Sequence, residues 1–495
     1  MTVPFTKFEG LYIDNRWVPV QDSVSVINPA TEAEIGQAPE GGVHEAEAAI
    51  ASAREAFDTG PWPRMTQVER TTIMRRMLDA LVARKPEIRA LILAEVGCSQ
   101  GVTDSVQIGA PLDHFEQALQ DSLKDPTYHL PNEFVQNPGN PDGPRIFGGG
   151  VVVREPVGVV AGITAYNYPF VLNLSKIVPA LLTGNTLVLK PSPFTPFSAL
   201  MFGEIASEIG LPPGVLNIVT GGPAVGTMLT SDPRIDMVTF TGSEGVGAAI
   251  MAQAAPTLKR VHLELGGKSA LIVRADADIQ AAAMTAIGTI SFNCGQGCAL
   301  TTRILVHNSI RAALVAAMSQ VADHFKVGDP TDPSVLMGPL IREAQRSKVE
   351  HYVELGLQSG ARLVRGGTRP ANLPKGFFYD LTIFDDVDNS AQIAQDEIFG
   401  PVLVVSGFDT DEEAIRIAND SRYGLAGGIM SADAATAFEM AMQVRTGSMM
   451  VNGGIGKWGY GPIGGYKRSG IGREYGPHWL NEFTQEKSVF YPIGR

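Results

Sequence analysis

The chain has 495 residues, of which 44% are hydrophobic and 18% charged, so it has enough apolar material for two or three domains with buried cores. Its formal net charge of −13 argues against binding to nucleic acids or anionic membranes, because both need a basic protein surface. The three cysteines lack disulfide or metal-ligand spacing, and neither a secretory signal nor an apolar run of about 18 residues is visible, so we expect a reducing, cytoplasmic setting, no membrane contact and no metal site.

The N-terminal part of the chain begins with extended pieces and continues with helices. Turn dipeptides interrupt short extended pieces over residues 11–40, which indicates an edge hairpin. Apolar residues then recur at helical spacing from Val43 to Phe57. Further helices are predicted at 67–84, at 86–97 and from Pro111 to Leu123.

Residues 126–154 differ in composition from what precedes them. Proline, glycine and asparagine are concentrated there, before two short predicted strands around Phe147 and Val152. The segment has too little apolar material for a core of its own, so we expect it to pair with something else. Judged by its residues alone, an ordinary surface hairpin is the favoured interpretation.

Apolar strands alternate with helices from Val157 onward, which is typical of parallel strands joined by crossover helices. A second alternating set runs from about Lys268 to 450. We therefore predict an α/β fold with two domains, each built on a doubly wound parallel sheet, and a ligand cleft between them. In the first set the predicted strands are 157–163, 186–190, 215–219, 236–240 and 260–263, and the predicted helices are 170–182, 197–209, 224–231 and 245–254.

A glycine-rich turn, Thr241 to Gly247, follows one of these strands and leads into a helix. Glycines let the backbone approach a ligand, and a helix N-terminus favours the negative charge of a pyrophosphate. The spacing differs from the usual dinucleotide-binding fingerprint, and a tight strand-to-helix turn would explain the glycines equally well.

Two reactive side chains lie where the two sets meet. Glu264 ends a strand and enters a Gly-Gly turn, and Cys298 follows the Gly295-Gln296-Gly297 break on a loop. A thiolate is a strong nucleophile and a carboxylate on a neighbouring loop can act as a general base, so the pair suits acyl chemistry. Considered alone, Cys298 would more often be a small buried hydrophobe. For Cys294 we expect packing at a helix end rather than a redox role.

The run Glu264-Leu265-Gly266-Gly267-Lys268, with Gly295-Gln296-Gly297-Cys298 placing the thiol 34 positions after the carboxylate, resembles the aldehyde dehydrogenase superfamily over essentially the whole chain. The resemblance implies NAD(P)-dependent oxidation of an aldehyde to the free acid, since members that transfer the acyl group to coenzyme A lack this glutamate. It also implies three units: an NAD(P)-binding domain (1–125 and 155–263), a catalytic domain (264–478), and an oligomerisation arm with a C-terminal strand (126–154 and 479–495) of a homodimer or homotetramer.

The same resemblance gives roles to individual residues. Cys298 adds to the aldehyde, Asn167 and the backbone N–H of Cys298 hold the oxyanion, and Glu264 activates the hydrolytic water. Lys176 and Glu474 match a proton path, although a buried ion pair would explain them nearly as well. The cofactor site implied by the family pattern comprises Ile163, Thr164, Lys190, Gly242, Ser243, Gly247, Leu265, Glu397 and Phe399.

Cofactor preference and substrate are less readable. We expect NAD as the cofactor. Pro193 stands where some members carry a glutamate that holds the ribose hydroxyls, and because such a carboxylate would repel the 2′-phosphate of NADP, its absence leaves NADP use open. The residues at the family's tunnel positions are largely apolar, which favours a medium or bulky apolar aldehyde; Lys457 would suit an acid semialdehyde if it pointed inward. A non-catalytic relative and a cysteine hydrolase without NAD are the alternatives from other classes. The tunnel positions are Tyr168, Phe170, Val171, Ser175, Gly297, Ala299, Ile455, Lys457, Trp458 and Ile463.

Overall fold

The structure, a computed structural model, describes residue 8 and residues 10–136, 139–453 and 460–493. Its strands, in chain order, are β1 (Leu11–Ile13), β2 (Arg16–Val18), β3 (Ser23–Ile27), β4 (Glu34–Pro39), β5 (Tyr128–Val135), β6 (Ile146–Pro156), β7 (Val159–Ile163), β8 (Thr186–Lys190), β9 (Leu216–Ile218), β10 (Met237–Thr241), β11 (Arg260–Glu264), β12 (Ala270–Val273), β13 (Arg303–His307), β14 (Arg362–Arg365), β15 (Thr382–Asp385), β16 (Val402–Phe408), β17 (Gly427–Met430), β18 (Met450–Val451), β19 (Gly470–Ile471) and β20 (Thr484–Pro492).

Helices connect most of these strands. They are α1 (Val43–Asp58), α2 (Gln67–Ala83), α3 (Lys85–Glu95), α4 (Gln100–Val102), α5 (Ala110–Ser122), α6 (Pro169–Leu182), α7 (Phe197–Glu208), α8 (Pro223–Ser231), α9 (Glu244–Ala254), α10 (Ile279–Ser291), α11 (Arg311–Ala322), α12 (Glu343–Gln358), α13 (Gln392–Gln395), α14 (Asp411–Asn419) and α15 (Ala434–Ala441). A π-helical segment, Thr103–Gly109, joins α4 to α5. None of the described helices has the length and apolar character needed to cross a bilayer.

The first sheet has the strand order β19-β11-β10-β7-β8-β9-β1-β2, with a parallel centre from β11 to β9. Its strands are apolar on both faces because helices cover both faces: Val160 belongs to one buried cluster, and its neighbours Val159 and Ala161 belong to another on the opposite side. The order reverses between β7 and β10, which opens a crevice at the carboxyl ends of these strands.

The second sheet has the order β14-β15-β16-β13-β12-β17-β18 and is parallel except for β14. Alternate residues again enter different clusters, as Ile304 and Leu305 of β13 do. The predicted α/β fold with two doubly wound sheets is therefore confirmed.

A small third sheet, β20-β6-β5, is antiparallel and combines the predicted arm with the C-terminal strand. The preference for an isolated surface hairpin was wrong, because β20 pairs with β6 along nine residues, from Thr484 with Pro156 to Pro492 with Gly148. One sheet assignment also differs from the predicted units: β19, inside 264–478, pairs with β11 and so belongs to the first sheet.

Candidate active site between the two sheets

The candidate site lies where the carboxyl edge of the first sheet meets the loops that precede strands of the second. Strand register aligns Ile163 with Phe240 and Lys190, and Thr241 with Glu264, so the ends of β7, β8, β10 and β11 share one edge. The loops before β12, β13 and β16 carry Leu265, Cys298 and Glu397. This arrangement brings together groups that are more than 200 residues apart in the chain.

The loop that carries Cys298 begins with an unusual turn after α10. Asn293 and Cys294 both have left-handed backbone conformations, with φ of +47° and +54°, and each costs about 1–3 kcal/mol that the surrounding structure must offset. Gln296 anchors the loop: its Oε1 accepts hydrogen bonds from the Tyr166 hydroxyl at 3.2 Å and the Ile341 N–H at 3.0 Å. Cys294 is fully buried in the core of the second domain, as expected.

Asn167 is buried beside this loop and is fixed by three hydrogen bonds. Its side-chain Nδ2 donates to the Gln296 carbonyl at 3.0 Å. Its own backbone carbonyl accepts from the side chains of Asn293 at 2.8 Å and Gln107 at 3.0 Å. Because an amide nitrogen has two N–H groups, one remains available for an oxygen of a bound substrate.

Two glycines let the three second-sheet loops come this close. A Cβ on Gly266 would lie 2.3 Å from a carboxylate oxygen of Glu397, and one on Gly267 would lie 2.5 Å from the carbonyl of Cys298. The Gly267 N–H also donates to Glu397 at 3.0 Å. The Gly-Gly pair after Glu264 therefore serves the contact between loops, which the sequence pattern alone did not reveal.

The surroundings of Cys298 disfavour its thiolate form. Burial raises the pKa of the Cys298 thiol to about 12, and the negative charges of Glu397 and Glu264 raise it further. Both influences favour the protonated thiol, so a nucleophile at this position would need a group that removes its proton.

Glu264 has the properties of such a group. It is buried, and its Oε1 is among the buried atoms for which the described residues provide no hydrogen-bond partner. Burial raises the pKa of Glu264 well above its ordinary value, and the neighbouring charge of Glu474 raises it further, whereas the charge of Lys176 lowers it. A carboxylate with a raised pKa is a stronger base once it is ionised.

Lys176 and Glu474 form a buried ion pair next to Glu264. The Ser175 hydroxyl donates to the same carboxylate at 3.1 Å. The arrangement fits both interpretations of the pair given above. The two side chains neutralise each other as a buried ion pair, and as neighbours of Glu264 they are also placed for a proton path.

The glycine-rich turn has the form expected of an anion site. Ser243 is the N-cap of α9, and the Gly242 N–H donates to the Glu264 carbonyl at 3.0 Å, which ties the turn to the catalytic strand. A Cβ on Gly247 would lie 2.7 Å from the Leu265 side chain, so only glycine lets α9 approach here. A cavity of about 290 Å³ opens at this helix N-terminus, lined by Ser243, Glu244, Gly245, Lys348, Tyr352, Asp396, Glu397, Arg422 and Tyr423.

Other predicted cofactor residues surround the same crevice. Burial raises the pKa of Glu397 to about 7. Phe399 has a left-handed backbone (φ +61°) and presents its ring to Tyr166 with centroids 6.0 Å apart. Ile163 and Thr164 end β7, and the Thr164 N–H donates to the Lys190 carbonyl at 3.1 Å. With an open helix N-terminus at one end and the buried lysine Lys190 at the other, the residues present fit a dinucleotide.

The predicted substrate positions divide into three groups. Tyr168, Val171, Ala299 and Ile463 are half-buried, and Tyr168 lies within electrostatic reach of Cys298, whereas Gly297 and Ser175 are buried. Phe170 is fully buried, and its ring stacks on that of Phe202 in the core with centroids 5.7 Å apart, so its place in the substrate pocket stays a prediction. The remaining three, Ile455, Lys457 and Trp458, lie outside the described residues.

Sequence reasoning missed several residues of the site. Gln107 comes from the π-helical segment, and Lys348 of α12 donates to the Glu397 carbonyl at 3.0 Å. Arg422 forms ion pairs with Glu244 at 3.1 Å and Asp396 at 3.1 Å across the cavity. Gln107 and Lys348 lie on helices far away in the chain, where a polar residue carries no local signal; a π-helix at a functional site is a known association, but the sequence did not mark it.

Comparison with known proteins gives one consistent result. The sequence model of the aldehyde dehydrogenase family matches residues 17–489. Betaine aldehyde dehydrogenase of Bacillus subtilis (strain 168) is 37% identical, with 97% of each chain covered.

Solved structures are similar over the same extent. The structure of Mycobacterium tuberculosis aldehyde dehydrogenase complexed with NAD⁺ has 42% sequence identity and a TM-score of 0.91, with 99% of each chain covered. A mutant of aldehyde dehydrogenase C from Pseudomonas syringae, complexed with NAD⁺ and octanal, has 36% identity and a TM-score of 0.90 and covers 98% of this chain and 97% of its own.

Proposed function

Because the chain belongs to the aldehyde dehydrogenase family, we propose that it is an enzyme that oxidises an aldehyde to the free carboxylic acid through a covalent intermediate on Cys298. It is an NAD-dependent aldehyde dehydrogenase. The observation that carries the proposed mechanism is the convergence of the Cys298 loop, Asn167 and the raised-pKa carboxylate Glu264 at one sheet edge.

In the first step Glu264 takes the proton of the Cys298 thiol as the sulfur attacks the aldehyde carbon. The carbonyl oxygen becomes an alkoxide, which accepts hydrogen bonds from the second Nδ2–H of Asn167 and from the Cys298 backbone N–H. Loss of one such donor costs about 3 kcal/mol of barrier. NAD⁺ in the crevice would supply the acceptor for the hydride that leaves the former aldehyde carbon as the alkoxide collapses, and the acyl group would then remain on the sulfur as a thioester.

Before the second step Glu264 passes the thiol proton on through Lys176 and Glu474 and becomes a carboxylate again. It then takes a proton from water, whose oxygen attacks the thioester, and that proton returns to the sulfur when the C–S bond breaks and the acid leaves. Lys176 and Glu474 are suited to carry protons between Glu264 and the interior, since both lie within electrostatic reach of that carboxylate. Glu397 and Lys348 would hold the nicotinamide ribose, and Lys190 the adenine ribose.

The substrate we propose is a medium or bulky apolar aldehyde. The residue types at the predicted tunnel positions support this choice, because Tyr168, Val171 and Ile463 are apolar or aromatic. The octanal in the similar Pseudomonas syringae structure also supports it. An acid semialdehyde depends on Lys457, outside the described residues, and so receives no support here.

We assign cofactor binding to residues 1–125 and 155–263 with β19, and the nucleophile to the rest of 264–478. The third sheet leaves apolar side chains exposed, among them Phe134 at 64% and Phe490 at 74%, which supports its role as the contact surface of a homodimer or homotetramer.

The direct test is absorbance of reduced nicotinamide during incubation with an aldehyde panel. We expect wild-type turnover with apolar aldehydes, and none for Cys298→Ala, which lacks the nucleophile. Cys294→Ala, which removes a thiol four positions away that packs in the core, is the matched control and should keep activity. Turnover by Cys298→Ala, or an enzyme that uses only acid semialdehydes, would contradict the proposal.

A further inference from the structure

Pro193 offers no carboxylate in the turn after Lys190, but Glu40, from a distant part of the chain, is close enough for its charge to act on Lys190. The segment after β4 crosses to the carboxyl edge of the first sheet. There the Gly41 N–H donates to the Thr220 carbonyl at 3.1 Å, and the Thr220 hydroxyl donates to the Pro39 carbonyl. Glu40 lies between these two anchor points.

The anchored segment is next to the end of β8. The Val219 N–H donates to the Leu189 carbonyl at 2.9 Å, so the chain just before Thr220 runs beside the residue that precedes Lys190. Glycines keep this corner tight: a Cβ on Gly221 would lie 2.6 Å from the Gly41 carbonyl. Glu40 therefore lies beside the carboxyl end of β8, although it stands 150 positions before Lys190 in the chain.

The charge of Glu40 acts on Lys190, but among the described residues the two side chains do not form an ion pair with each other. The Lys190 ammonium has a single weak hydrogen bond, to the Pro191 carbonyl at 3.4 Å. Burial lowers the pKa of Lys190 to about 8, and the charge of Glu40 is the influence that opposes this change. Within the described part of the chain, the half-buried Glu40 side chain has no ion pair of its own.

We infer that Glu40 is the specificity-determining carboxylate of the cofactor site: together with Lys190 it receives the adenine-ribose hydroxyls of NAD and rejects the 2′-phosphate of NADP. A carboxylate accepts hydrogen bonds from both ribose hydroxyls, whereas a phosphate at the 2′ position faces it with like charge. The inference rests on the proposed function and deepens it, because it makes the enzyme selective for NAD although Pro193 leaves that choice open.

The test is isothermal titration calorimetry of the full chain with NAD⁺ and with NADP⁺, which needs no turnover. Wild type should bind NAD⁺ more tightly. Glu40→Gln should lower the ratio of the NADP⁺ to the NAD⁺ dissociation constant by roughly tenfold or more, the usual effect of losing one charged hydrogen-bond acceptor. Glu40→Arg should lower it further, because it adds a cation for the phosphate.

Glu34→Gln is the matched control, since it removes the same charge from the exposed side of β4 and should leave the ratio unchanged. Thermal unfolding midpoints verify that all variants are folded. An unchanged ratio in Glu40→Gln and Glu40→Arg, or equal affinity of wild type for both dinucleotides, overturns the role of Glu40. Wild type that binds neither dinucleotide overturns the proposed function as well, so the two failures are distinguishable.

Discussion

At the scale of single residues, the site depends on a pair of groups whose pKa values are both displaced upward. Burial raises the pKa of the Cys298 thiol to about 12 and that of the Glu264 carboxyl well above its ordinary value. At low pH neither group can act in the proposed mechanism, because the Cys298 thiol stays protonated and a protonated Glu264 cannot accept the thiol proton. Raising the pH through the pKa of Glu264 creates the base, and the nucleophile then forms only when the substrate arrives.

This pairing predicts a pH profile. In wild type, kcat/KM should fall as the pH falls through the raised pKa of Glu264, because the base is lost by protonation. In Glu264→Gln, steady-state turnover should fall roughly 10²-fold or more, and the remaining rate should keep rising toward high pH as the thiol ionises. Stopped-flow absorbance checks both, since the first turnover reports hydride transfer and later turnovers report hydrolysis.

The outcome that would contradict Glu264 as base is equally direct. Glu264→Gln with an unchanged steady-state rate and an unchanged pH profile would assign the proton transfer to another group. A first turnover slowed less than the steady state would identify hydrolysis as the step that depends most on this carboxylate.

At the scale of secondary-structure elements, the π-helical segment Thr103–Gly109 holds Asn167, to which the proposed mechanism gives the oxyanion. It turns the fully buried Gln107 toward Asn167, whose carbonyl receives one hydrogen bond from Gln107 and one from Asn293. The two donors come from segments that are 186 positions apart in the chain. Gln107 is therefore a positioning residue, since it acts through Asn167.

Replacing Gln107 tests this role. Gln107→Leu should lower kcat by about 10- to 100-fold, because a loosened Asn167 amide no longer meets the alkoxide, while the dissociation constant for NAD⁺ stays the same. Steady-state kinetics and calorimetry measure the two quantities. Ser105→Ala, on the exposed side of the same segment, is the control and should leave kcat unchanged. A loss of NAD⁺ affinity equal to the loss of kcat would indicate general disruption instead.

At the scale of the whole molecule, the third sheet stands apart from the two domain cores. The large apolar side chains that it leaves exposed are Tyr128, Phe134, Val135, Ile146, Val489, Phe490 and Tyr491, and the exposed Ile493 follows β20. A monomer rarely exposes such a set on one small sheet, so we expect it to be covered by another copy of the chain.

The charge variant Phe490→Glu checks this expectation. A carboxylate at that position would be desolvated in the subunit contact, so the molecular mass from light scattering should drop to that of a smaller species. Leu258→Glu is the control, since Leu258 is 91% exposed on a different part of the surface. An unchanged mass for Phe490→Glu, or a wild-type mass equal to one chain, would place the subunit contact elsewhere or remove it.

The sequence by itself determined the alternation of strands and helices, because buried parallel strands must be apolar throughout and helices must carry an apolar stripe; β7, β8, β10 and β11 fall within two residues of their predicted bounds. Its motifs also marked Cys298, Glu264 and the Gly242 turn. Local pattern carries this information since each signal lies within a few neighbouring residues.

Only the tertiary structure decided which of these strands, helices and loops come into contact and how their side chains affect each other's pKa values. The protonation of Cys298, the part that Gln107 plays for Asn167 and the approach of Glu40 to Lys190 all depend on burial and on contacts between segments 60 to 150 positions apart. Desolvation and charge act through space rather than along the chain, so a pKa or a specificity contact exists only once the sheets have brought the loops together.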